Sequence, residues 1–410
     1  MLRSLALATL ALATLALLAF ACRAPAPRAA RALSPNVPGW LAENRARLDA
    51  LLAARGRGSD GYDPAHPPVA TFDWDNTVMR NDIGDATMEW MLLHDAILQP
   101  PGRDWRTTSG ALTDAALAAL HAACDGAAEP GAPLPTSRAP ACADEIFAIY
   151  IDGKTKAGAA AWTRAITSTT NEAPAWLARL LAGHTPDEVR AIARAAYAAD
   201  STAPIGATRT IGTRQGVSAW VRIYEPMRDL IGALQGSGFD VWIVSASPQH
   251  VTEIVAAEVG IAADHVIGVR TTRAGDRLGY DLEPCGGAPP NSVITYDHGK
   301  RCFINRVIFG LPEAEQLRRA DARHRPTFSA GDADTDVAFV QDATDLKLVI
   351  DRHHVALMCN ALSNFEHRWL VQPMFIEPFA PRAEPYPCST TLDAAGAPIV
   401  DEAGARMRDR

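Results

Sequence analysis

The sequence predicts an α/β fold: a doubly wound parallel sheet whose first strand is followed by a large inserted helical cap domain. Three observations carry this expectation. Short apolar runs beginning at Val69, Asp240, Pro326 and Leu346 alternate with helix-length amphipathic stretches, the pattern of a parallel sheet with helical crossovers. Several of those runs stop abruptly at Asp or Ser, where the ligands of open α/β sheets bind. Between the first run and the next, roughly 130 residues show only helical spacing, far more than an ordinary connection holds.

The chain opens with Arg3 and an uncharged run from Ser4 to Ala21 that closes on Ala19-Phe20-Ala21-Cys22. This reads as an export signal, although its length also meets the threshold for a membrane span. The small residue before Cys22 resembles a bacterial lipoprotein signal over residues 1–22, which implies cleavage before Cys22 and a lipidated Cys22 as the mature amino terminus. Ala19 stands where that pattern usually has Leu. A tether over residues 23–36, rich at its start in Ala, Pro and Arg, would lift the folded part from the anchor and face it to the periplasm or cell surface.

A helix is expected over Val37 to Ala54 and a buried strand from Val69, placing the first piece of the core at 37–85. Helical patterns follow at Ala86 to Leu98, Ala111 to Ala123, Ala143 to Ile151, Ala159 to Ile166, Pro174 to Ala182 and Pro186 to Ala199. These make 86–222 the cap, with no convincing strand in it. Thr185 before Pro186-Asp187-Glu188 is a strong helix start. The core resumes over 223–389. Helices are expected at Glu225 to Leu234, Gln249 to Val259, Gly299 to Phe309 and Asp334 to Val340. Strands are expected at Asp240 to Val244, His265 to Val269, Pro326 to Ala330 and Leu346 to Ile350, with a hairpin at Gly275 to Leu282. Residues 390–410 read as a loosely held tail.

Composition narrows the classes. An apolar fraction of 48% describes a globular chain, and a net charge of −8 argues against a nucleic-acid partner. Setting Cys22 aside, Cys124, Cys142, Cys285, Cys302, Cys359 and Cys388 form an even set, which in an exported chain suggests disulfides. Six cysteines allow fifteen pairings. Sequential pairing is the expectation, because each pair closes a short loop rich in Gly, Pro or polar residues.

The chemistry sits at the strand ends. Phe72-Asp73-Trp74-Asp75-Asn76-Thr77 places two carboxylates one residue apart, so one can attack an electrophile while the other moves a proton. Their mutual repulsion calls for a cation between them, and an oxygen-liking divalent ion such as Mg2+ is the natural one. Further on, Ser245-Ala246-Ser247 ends one strand, Lys300 opens a helix, and Gly331-Asp332-Ala333-Asp334-Thr335-Asp336 ends another strand. Lysine is otherwise found only at 154, 156 and 347, which makes Lys300 informative. Each feature alone is a turn, a cap or a solvated charge. Together, in this order and on these elements, they point to one site.

These motifs resemble the haloacid dehalogenase-like superfamily, specifically its Asp-x-Asp-x-Thr phosphatases with a helical C1 cap, such as phosphoserine and phosphorylcholine phosphatases. The resemblance covers residues 67–80 and about 225–352. It implies that Asp73 is the nucleophile and Asp75 the general acid and base, while Ser245 and Lys300 hold a phosphoryl oxygen. It also implies Mg2+ on Asp73, the carbonyl of Asp75 and Asp332, with Asp336 orienting Lys300 or a metal-bound water. Asp334 is an extra carboxylate able to compete with Asp336.

The expected activity is Mg2+-dependent hydrolysis of a small phosphomonoester through an aspartyl phosphate. Asp82 stands nine residues after Asp73, where phosphoserine phosphatase reads an ammonium group. With Asp85, Glu89 and Trp90 nearby, it points to phosphocholine or phosphoserine. The alternatives are a phosphotransferase or phosphomutase on the same scaffold, or a catalytically silent lipid-anchored binding protein.

Overall fold

The structure is a computed structural model that describes residues 31–364, 367–401 and 403–410. The signal segment, Cys22 and most of the tether lie outside the described residues. No helix among the described residues is long and apolar enough to cross a membrane.

Six strands form one parallel sheet in the order β12-β11-β10-β1-β6-β7. These are β1 (Val69–Phe72), β6 (Asp240–Pro248), β7 (Val266–Val269), β10 (Phe328–Gly331), β11 (Leu346–Asp351) and β12 (Trp369–Pro373). Helices cover both faces, which is why β10 is buried along its whole length and the strands read as continuous apolar runs. Phe72 and Phe328, on neighbouring strands, pack with ring centroids 5.3 Å apart. The fold is therefore the doubly wound α/β class expected, with β1 at the centre of the sheet.

Between β1 and β6 the chain forms β2 (Met79–Arg80), then helices Ile83–Leu93, Asp114–Cys124, Pro140–Asp152, Glu172–Leu180 and Pro186–Thr202. The last starts with a full capping box: Glu188 N donates to Thr185 Oγ1 at 3.2 Å, and Thr185 N donates to Glu188 Oε2 at 2.7 Å. Two expectations for this region are corrected. Ala159 to Ile166 is not a helix. Its backbone pairs sideways instead, Ala161 N to Gly153 O at 2.9 Å and Thr163 N to Ala111 O at 2.8 Å, while Trp162 packs edge-on against buried Trp176. Cross-chain partners and an aromatic anchor outweigh the local helical preference of an Ala-rich run. The region also holds strands: β3 (Thr208–Ile211) pairs with β4 (Arg214–Ser218), and β5 (Arg222–Ile223) pairs with β2.

After β5 come helix Glu225–Gly236, then β6 and helix Gln249–Ala257. β8 (Thr271–Ala274) and β9 (Arg277–Leu282) form the expected hairpin, slightly longer than predicted. Helix His298–Val307 follows. The segment after β10 begins as a single 3-10 turn, Asp334–Asp336, before the α-helix Val337–Asp342. Sequence reading missed helix Val355–Ser363 and the edge strand β12.

Disulfides join Cys124 to Cys142, Cys285 to Cys302 and Cys359 to Cys388. The last one explains a further correction, because the tail is not loose. Ile399 and Met407 are buried against the sheet's flank, and Arg410 N donates to Tyr386 O at 3.1 Å beside the fastened Cys388.

Candidate active site

Register brings the site together. Phe72 lies opposite Ala330 on one side and Ile243 on the other, and Gly331 lies opposite Val349. Asp73 follows Phe72, Asp332 follows Gly331 and Ser245 comes two residues after Ile243, so all three emerge toward the carboxyl edge, as the strand-end argument requires. Asp73 N continues the ladder by donating to Ala330 O at 2.9 Å.

Four of the expected residues meet there directly. Lys300 Nζ donates to Asp73 Oδ1 and to Asp336 Oδ1, each at 2.6 Å. Thr77 Oγ1 lies 3.1 Å from Asp73 Oδ2 and 2.8 Å from Asp332 Oδ1, so one hydroxyl ties two strand ends. The second Asp336 oxygen accepts from Asp332 N and Ala333 N, both at 3.0 Å. Glycine is required twice in this frame. A Cβ at Gly299 would stand 1.8 Å from Ile294 O, and one at Gly331 would stand 2.6 Å from Asp336 Cβ. The close approaches that place Lys300 and Asp336 thus need residues without side chains.

Burial sets the electrostatics. Asp73 is pushed up to about 6 by burial, with Lys300 pulling the other way and Asp332 adding to the rise. Burial also raises Asp332 and Asp336, and like charge adds to both. Lys300 is only 1% exposed, and burial alone works against its charge. The Asp336 and Asp73 carboxylates outweigh that and hold it above its ordinary value.

Asp75 has partners other than Lys300. Its oxygens accept from Ile83 N at 2.7 Å and Ser247 Oγ at 2.7 Å, with Ser245 Oγ further off at 3.4 Å. Burial, followed by the Asp82 and Asp73 charges, raises it well above the usual carboxylate range. Ser245 itself is fully buried, accepting from Ser247 N at 3.0 Å, whereas Ala246 and Ser247 line the cavity. Asp334 does not compete with Asp336: its Oδ1 accepts from Leu357 N at 3.0 Å.

The cavity above Asp73 measures about 260 Å3. Its wall includes Asp73, Asp75, Asp82, Asp85 and Asp332, with Lys300 and Arg352 as cations. Tyr150 Oη donates to Asp85 Oδ1 at 2.8 Å, and Asp82 caps the helix it precedes through Asp85 N at 3.0 Å. Burial raises Asp82, and burial with the Asp82 charge takes Asp85 to about 8. Two larger cavities, of about 490 and 570 Å3, open elsewhere and hold none of these groups.

Two of the substrate-side residues expected from sequence stand elsewhere. Glu89 lines a neighbouring cavity of about 170 Å3, where Arg209 Nε lies 3.3 Å away, and burial pushes it up to about 9. Trp90 stacks on His94 at 3.5 Å, one turn along the same helix, so local packing takes the ring. Sequence reading also missed Tyr150, Ser247, Arg352 and the double link through Thr77. Thr77 carried a signal as the last residue of the Asp-x-Asp-x-Thr motif, and Ser247 as the last residue of Ser245-Ala246-Ser247.

Asp73, Asp332 and Asp336 offer oxygens that all lie within 4.8 Å of one another. An all-carboxylate set, buried and mutually repelling, suits a hard cation such as Mg2+ and has no sulfur or imidazole to favour a softer one.

Comparison with known proteins agrees with this arrangement. The sequence pattern of the haloacid dehalogenase-like hydrolases matches residues 152–340, a stretch holding Ser245, Lys300, Asp332 and Asp336. No curated protein matches the chain. Among solved structures, a conserved protein of unknown function from Anaerococcus prevotii is similar, with a TM-score of 0.62 and 18% identity, over 82% of this chain and 93% of that one. A protein of unknown function from Bordetella pertussis gives a TM-score of 0.42 at 15% identity, over 75% and 98% of the two chains. A substrate-bound phosphoserine phosphatase gives 0.30 at 11% identity, over 69% and 85%. Residues 152–340 of the chain are thus similar to the haloacid dehalogenase-like hydrolases.

Proposed function

We propose that the protein is a Mg2+-dependent phosphomonoesterase that works through a phosphoryl-aspartate on Asp73. The observation that carries this reading is the Lys300 ammonium held between Asp73 and Asp336, beside a second acid, Asp75, with a different environment. Phosphoryl transfer asks for such a pair: a nucleophile with positive charge beside it, and a proton source for the leaving oxygen.

Asp73 attacks phosphorus as the bond to the leaving oxygen breaks. Lys300 shares its charge between Asp73 and the phosphoryl oxygens, and Ser247 and the backbone after Ser245 line the same wall. Asp75, whose burial favours its protonated form, gives its proton to the leaving oxygen. As a carboxylate it then takes a proton from water, whose oxygen bonds to phosphorus while the bond to Asp73 breaks and phosphate departs. Mg2+ held by Asp73, Asp332 and the carbonyl of Asp75 would supply charge neutralisation on the phosphoryl group.

The substrate is a small phosphomonoester with a cationic group, such as phosphocholine or phosphoserine. The support is the wall itself: five carboxyl groups stand with two cations, and burial or like charge raises Asp75, Asp82 and Asp85, a strain an ammonium group relieves. Export with a lipid anchor at Cys22 completes the reading, and three disulfides suit an oxidising compartment. A screen of phosphomonoesters with and without Mg2+ tests it. Phosphate release with Mg2+, greatest for cationic esters and lost in Asp73→Asn, is expected, whereas silence toward every ester would sink the reading.

A further inference from the structure

Arg352 follows β11 directly and belongs to none of the motifs that define the site. Its Nη1 donates to Asp332 Oδ2 at 2.5 Å, while Thr77 occupies Asp332 Oδ1. The three clustered carboxylates are therefore held in different ways. Asp73 and Asp336 are fastened by Lys300, which is sealed in the core, and Asp336 also by two backbone amides. Asp332 is fastened by a long side chain that is 25% exposed and forms part of the walls of two adjoining cavities. The Nε of Arg352 is buried and has no hydrogen-bond partner, so the present position leaves one of its donors unsatisfied. The second cavity it borders is lined by Asp82, Asp85, Glu89 and Asp200.

We propose that Arg352 is a positioning residue that competes with the divalent ion for Asp332 and moves toward Asp82 when the ion binds. A guanidinium in contact with the same carboxylate opposes an incoming cation by like charge. The acids of the adjoining cavity give it a second resting place. Arg352 thereby holds Asp332 in place when no ion is bound and sets the affinity of the ion, without touching the reacting atoms. This inference rests on the metal-dependent reading above.

Calorimetric titration of Mn2+ and Mg2+ into the wild type and Arg352→Gln, without substrate, tests it. Arg352→Gln is expected to bind the ion about tenfold more tightly. Asp82→Asn, which removes the second resting place, is expected to weaken binding about threefold in the wild type and to leave Arg352→Gln unchanged. Unchanged or weaker binding in Arg352→Gln overturns the inference. A wild type that binds no divalent ion overturns the metal-dependent reading instead. A Mn2+-loaded crystal of the wild type decides the matter even if the variant does not fold: Arg352 turned away from Asp332 is expected, and the contact kept beside a bound ion contradicts it.

Discussion

Two clusters of buried acids lie side by side in this molecule, and they are treated differently. Around Asp73, Asp332 and Asp336 every oxygen has a defined partner: Lys300, Arg352, Thr77 or a backbone amide. Around Asp82, Asp85 and Glu89 the partners are fewer and mostly neutral, a tyrosine hydroxyl and a helix-cap amide, and one Glu89 oxygen has no hydrogen bond at all. The first cluster is fixed before anything binds, as a site that stabilises developing charge must be. The second holds like charges close together. On the proposed reading, reaction and recognition are divided between these two carboxylate environments, which line adjoining cavities.

The sharpest way to break this contrast is to take the cation from the fixed cluster. Lys300→Met leaves Asp73 and Asp336 buried without their counter-charge. Turnover should fall by about a thousandfold, with a loss of stability of about 3 kcal/mol. Steady-state kinetics and denaturant unfolding check the two effects, and near-normal turnover would mean that Lys300 is merely structural.

A smaller effect tests how firmly that cluster is anchored. Cys302 lies two residues beyond Lys300 on the same helix and is joined to Cys285. The double replacement Cys285→Ser with Cys302→Ser should cost about 3 kcal/mol by loop entropy. It should also lower kcat, because the Lys300 helix loses its covalent tether. No cysteine lies in the second cluster, so KM for a cationic substrate should move less than kcat.

The smallest effect belongs to the second cluster. Asp85 is pushed up to about 8 from the usual carboxylate value. A carboxyl raised in the folded state contributes stability that is full below its unfolded pKa, near 4, and is lost as pH rises toward 8. Asp85→Asn, which still accepts from Tyr150, should therefore melt on the order of a few degrees higher than wild type at pH 8 and show little difference near pH 4. A pH-independent difference would show that charge repulsion is not what strains this wall.

The fixed cluster was largely legible in the sequence, because its residues end apolar strands and parallel pairing puts strand ends at one edge. The second was legible only in part. Asp82 and Asp85 follow the first motif closely, but the orientation of Glu89 and Trp90 depends on which neighbours compete for each side chain, and that is set by Arg209 and His94. Arg352 gave no signal, being one arginine among many in a chain that prefers arginine to lysine. The short strands β3 and β4 escaped notice because they are mostly Thr, Arg, Gln, Gly and Ser, with too few apolar residues to show an alternation. β12 was missed although Trp369 and Leu370 are buried. Its pairing with β11 is a long-range choice that a five-residue window does not display.

The central claim is that Asp73 receives the phosphoryl group and Asp75 later activates the water that removes it. Asp75→Asn, given an ester whose leaving group needs no proton, should accumulate phosphoenzyme, because the step that needs a base is lost while the attack is kept. Peptide mass spectrometry after acid quench should then place the phosphate on Asp73, and no label should form when Asp73→Asn is added. Phosphate on another residue, or full turnover with no covalent species, would contradict the account.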